Sequence, residues 1–80
     1  MKTDLLVRTI LDKGAAASTQ RTPDALPKRA VLAAVLYDAG VVPDTETALR
    51  AFTLWSHPQN RAVSPADLLT LAREGRRVEV

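Results

Sequence analysis

His57 is the only histidine of the chain, and it lies two residues after the only tryptophan, Trp55, with Ser56 between them and Pro58 behind. A histidine beside a serine invites a reading as base and nucleophile. That chemistry needs the two side chains within hydrogen-bond reach and a third group to orient the base. Neighbours along a helix point about 100° apart, so adjacency in sequence does not build the pair. Cysteine is absent, which removes the stronger nucleophile and every thiolate metal site. One histidine among scattered carboxylates has no metal-ligand spacing. The three glycines, Gly14, Gly40 and Gly75, stand apart as helix stops and form no phosphate-cradling loop. The residues therefore read as those of a non-enzymatic protein without a cofactor. His57 is expected at a helix C-terminus on the surface, where its charged form is mildly favoured.

Binding is the remaining chemistry. Tryptophan and arginine are the types enriched in binding hot spots. The candidate partner-binding set is Trp55, His57, Arg61, Arg73, Arg76 and Arg77. Within it the indole of Trp55 has two readings, as the largest core residue or as an exposed anchor. On a helical wheel it falls with Ala48, Ala51 and Phe52, so it is expected to face inward and support the contact surface from beneath. The alternative is a dimeric DNA-binding regulator using Lys28, Arg29, Arg73, Arg76 and Arg77. Helices 2 and 3 around Gly40 do have the outline of a helix-turn-helix. The half of helix 3 that would enter the groove, however, offers Asp44, Thr45, Glu46 and Thr47, and its acids oppose phosphate contact. Eleven basic residues against nine acidic ones leave a formal charge of only +2, no electrostatic footprint for nucleic acid.

Four helices must position these residues, over about 4–13, 28–39, 45–56 and 65–74. Thr3 and Gly14 bracket the first, with Leu6, Val7, Ile10 and Leu11 on one face. Residues 14–26 hold no large apolar side chain before Ala25-Leu26 and read as a flexible Ala/Ser/Thr-rich connector, although the alanines would also tolerate a helix. The helical core is residues 27–75. Pro27 opens helix 2, and Val31, Leu32, Val35, Leu36 and Ala39 form an arc so broad that this helix is expected at the centre of the bundle. Asp44 or Thr45 caps helix 3, and Pro58 ends it. Ser64-Pro65-Ala66-Asp67 is a strong start for helix 4, and Gly75 stops it. The tail over 76–80 alternates polar and apolar residues like a short strand.

The expectation is an all-α bundle of three to four short helices, with that short C-terminal strand as an addition. Eighty residues of which 46% are hydrophobic suit one small domain with a modest core. The lack of cysteine suits a reducing cytoplasm. No apolar run is long enough to cross a bilayer and no signal peptide is visible, so no membrane partner is expected. Taken together, the sequence reads as a regulator, inhibitor or antitoxin-like component of bacterial or phage type. It would act by binding another protein, with a homodimer as one form of that binding.

Overall fold

The computed structural model describes residues 2–75, with side chains described from Leu5 onward. Four helices follow one another: α1 (Lys2–Thr19), α2 (Ala25–Asp38), α3 (Thr45–Ser56) and α4 (Pro65–Glu74), with a 3-10 turn at Pro58–Ala62. No strand occurs among the described residues. The fold is the expected all-α bundle. The short strand expected in the tail, and Arg76 and Arg77 with it, lie outside the described residues.

The first helix departs from its expected length. It passes through Gly14 and ends at Thr19, so most of the expected connector is helix. Thr3 accordingly lies inside the first turn and is not its cap. Bulk is not what holds the extension. Gly14, Ala15 and Ala17 are buried, because small side chains let α1 lie close to its neighbours. At Gly14 a β-carbon would overlap the ring of Phe52, which occupies that space. The Ser18 and Thr19 hydroxyls donate back to the carbonyls of Gly14 and Ala16, at 2.8 and 2.9 Å. The connector shrinks to residues 20–24. Val7, Ile10 and Leu11 are buried as the spacing predicts, whereas Leu6 falls on the flank and is half exposed.

The central position also changes hands. Of the broad arc on α2, only Leu36 is fully buried and Leu32 partly so, while Val31, Val35 and Ala39 face water; the other buried residues of the helix, Ala25 and Ala33, lie off the arc. The helix at the centre is α3, which packs against α1, α2 and α4. It buries Thr47, Ala48, Ala51, Phe52 and Trp55. An apolar arc on α2 wider than its contact surface therefore leaves apolar side chains outside.

The boundaries of α3 and α4 match their punctuation. Asp44, with extended backbone, accepts from the Thr47 N–H and the Thr47 hydroxyl, each at 2.7 Å. Those two bonds to the carboxylate hold the Asp44 pKa below the ordinary aspartate value of 3.8. Ser64 accepts from the Asp67 N–H at 3.2 Å, Pro65 takes the first helical position, and Gly75 closes α4 at φ 67. Between them, Pro58–Ala62 winds into the 3-10 turn. Buried Asn60 fastens it by donating to the Leu54 carbonyl at 2.7 Å.

Two measurements test these assignments. Helix propensity alone would credit Gly14→Ala with a gain of about 1 kcal/mol. Because the new methyl meets the Phe52 ring, the variant should instead lose about 1–3 kcal/mol in urea unfolding; a stabilised variant would contradict the packing. Asp44→Ala should be less stable than wild type at neutral pH. The Asp44 contribution is present above the unfolded value and lost as pH falls through the lower folded value, so the gap should narrow below about pH 3.8. A gap that stays constant as the pH is taken well below 3.8 would remove the carboxylate from the cap.

Candidate functional site

At the Trp55–Pro58 junction the tryptophan is turned into the bundle. Trp55 is 1% exposed. Its indole N–H donates to Asp12 Oδ1 of α1 at 2.7 Å. Arg61 covers the ring, with its guanidinium carbon 5.5 Å from the centroid, and its Nε donates to the Trp55 carbonyl at 2.8 Å. The same arginine approaches Asp12 Oδ1 at 3.9 Å, where both side chains are about half exposed. One aspartate thus joins α1, α3 and the 3-10 turn. Trp55 faces inward, as its spacing with Ala48, Ala51 and Phe52 suggests, and Arg61 lies over it with its own side chain half exposed. The physical reason is that an apolar ring with one polar edge is best satisfied where a carboxylate can reach that edge.

His57 is exposed and terminates α3, its backbone N–H donating to the Leu54 carbonyl at 3.2 Å. The Ser56 hydroxyl donates to the Thr53 carbonyl at 2.6 Å. Among the described residues, no group of three or more histidines and carboxylates is placed to hold a metal ion.

The basic residues fall differently. Lys28 is exposed, and so is Arg73, whose Nη2 donates to the Thr70 hydroxyl at 3.4 Å. Arg29 is half buried, and with Gly75 it borders a cleft of about 410 Å³. The start of α2 and the end of α4 therefore meet at one opening. The remaining wall is a face of α3: Glu46, Leu49, Arg50, Thr53 and Leu54. These recur at the spacing i, i+3, i+4, i+7 and i+8, a second stripe beside the buried one. That stripe was visible in the sequence. It was missed because Leu49 and Leu54 look like the flanks of a core face when no second wall is known.

The two arginines of the cleft differ in their partners. Arg50 is held on several sides: Nε donates to the Ala72 carbonyl at 3.2 Å and Nη2 to the Thr47 hydroxyl at 3.4 Å. Its Nη1 lies 3.7 Å from Glu46 Oε1. Arg29 Nε, by contrast, is buried with no hydrogen-bond partner. A donor left this way forfeits its hydration without return. The arrangement combines an aliphatic floor with one fixed and partly neutralised guanidinium and a second whose Nε is buried without a partner.

No family model, no curated protein and no solved structure matches this chain.

The Trp55 bridge is tested by separating acceptor from charge. Asp12→Ala leaves the indole N–H without its acceptor and should cost about 1–3 kcal/mol in urea unfolding followed by circular dichroism. Asp12→Asn keeps an oxygen for the indole and loses only a half-exposed ion pair, so it should cost under about 1 kcal/mol. Equal losses in the two variants would assign the effect to charge and refute the bridge.

Proposed function

We propose that this chain is a small, non-enzymatic helical protein of the cytoplasm that acts by binding another protein, as a regulator, inhibitor or antitoxin-like component. One observation carries the reading. Seven alanines are buried (Ala15, Ala17, Ala25, Ala33, Ala48, Ala51 and Ala72), while Leu5, Leu26 and Val31 remain 70%, 72% and 63% exposed. Single exposed apolar residues are ordinary. A small core that gives many of its buried positions to alanine while large aliphatics stay outside is less so, since moving those side chains from water contributes about 1.5–3 kcal/mol each. A partner surface supplies that burial. Val31 and Val35 lie one turn apart on the outer face of α2 and make the natural contact pair.

A dimeric DNA-binding regulator is the second reading, favoured only by the meeting of Arg29 with the end of α4. Salt separates the two, because phosphate contacts weaken steeply with ionic strength.

The test is affinity capture from cells that make the protein, with three baits: wild type, Val31→Asp/Val35→Asp, and Gln20→Asp as an exposed control. A protein partner, or a second copy of the chain, should be retained at about 0.5 M salt, where surface charges are strongly screened. The double aspartate should reduce it roughly ten-fold, about 1.4 kcal/mol, while Gln20→Asp leaves it intact. Recovery of nucleic acid alone, lost at moderate salt, would overturn the proposal. A protein captured equally by all three baits would overturn the Val31/Val35 contact.

A further inference from the structure

We infer that the outer face of α2 receives α2 of a second copy of this chain, the two helices running antiparallel. The inference rests on the protein-binding reading above and names the partner of the Val31 and Val35 contact. Lys28, Val31, Val35 and Asp38 recur at intervals of three, four and three, the spacing of a seam between two helices. All four are exposed, so the seam is open along the helix. Among the described residues, neither the Lys28 ammonium nor the Asp38 carboxylate has an ion pair or side-chain hydrogen bond within the chain.

The order of these side chains selects the occupant. About a two-fold axis at position 33, Val31 faces Val35 of the second copy and Lys28 faces its Asp38. Each contact occurs twice, as a self-complementary interface requires. The apolar pairs are covered from water at the centre, and an opposite-charge pair closes each end. Parallel helices would instead set Lys28 against Lys28 and Asp38 against Asp38, so the charges specify direction as well as partner. The dipole of α2 gives a second argument. Its first turn holds no acid and its last turn no base, and Asp38, its final residue, sits at the negative end. In the antiparallel pair Asp38 lies beside the positive N-terminal end of the facing helix, and Lys28 beside its negative end. Charges misplaced on their own helix are thus well placed for its copy. One pair of helices of this length buries less than a standard interface, so the dimer is of the weak, reversible kind.

Sedimentation equilibrium of the full chain, from about 10 µM to about 1 mM at low salt, reads the association. Wild type should interconvert between monomer and dimer. Lys28→Asp and Asp38→Lys each place like charges across both ends and should weaken the dimer at least roughly ten-fold. Mixed one to one, the two variants meet with opposite charges at both ends and should recover wild-type association. Each substitution supplies the charge that its own end of α2 prefers, so both variants should remain folded, which circular dichroism checks. Val31→Asp/Val35→Asp should abolish dimerisation. The antiparallel dimer is overturned by a wild type that stays monomeric over the whole range. A dimer that any of these three variants leaves unweakened also overturns it, as does a mixture that associates no better than either charge variant alone. Affinity capture keeps the two readings apart. A monomeric wild type that holds a different protein through Val31 and Val35 sinks the second copy and leaves protein binding standing. A monomeric wild type that holds nothing sinks both.

Discussion

The bundle depends on how closely α3 can approach α1. Phe52 is fully buried, and its ring takes the space that any side chain at position 14 would need. That contact is the reason a glycine is tolerated in the middle of a helix, where it ordinarily costs about 0.5–1 kcal/mol relative to alanine. The same approach brings Asp12 within reach of the Trp55 indole, two residues earlier on α1 and three later on α3. Loss of the close contact would therefore separate the polar bridge along with the apolar one. The 3-10 turn goes with them, because Arg61 lies on the indole that the bridge positions.

Where the sequence carries local signals, it is readable almost to the residue. Asp44, Pro58, Ser64-Pro65 and Gly75 each act within one turn, and the α3 and α4 boundaries follow from them. The inward direction of Trp55 also follows from its spacing with Ala48, Ala51 and Phe52. Long-range facts were hidden. Gly14 carries the ordinary sign of a helix end, and only the ring of a residue 38 positions later reverses its meaning. The alanines after it look unable to repay ordering, since the gain comes from neighbours that can approach a small side chain. In the same way, the arc on α2 names what is apolar without naming which part finds a partner within the chain. The cleft is the clearest case, because Arg29, the α3 stripe and Gly75 become a site only through three-dimensional proximity.

Burying alanines at the helix contacts while Val31 and Val35 stay outside has an energetic sense in a chain of this size. Alanine-lined contacts bring helices together, but each contributes little buried area, so the isolated bundle is expected to be modestly stable. A partner that covers Val31 and Val35 would add burial that the chain does not provide for itself. Binding and folding would then be linked, with the bound form the more stable one.

The placement of the single indole has an optical consequence. Trp55 is the only tryptophan, and its acceptor Asp12 lies on a different helix, 43 residues away in sequence. Its fluorescence therefore reports the docking of α1 onto α3, whereas far-ultraviolet circular dichroism reports helix content wherever it forms. If the bundle assembles in one cooperative step, the two signals follow the same unfolding curve. If the alanine-rich end of α1 can be helical while undocked, they part. The chain thus contains its own probe for distinguishing a helix that has formed from a helix that has found its place.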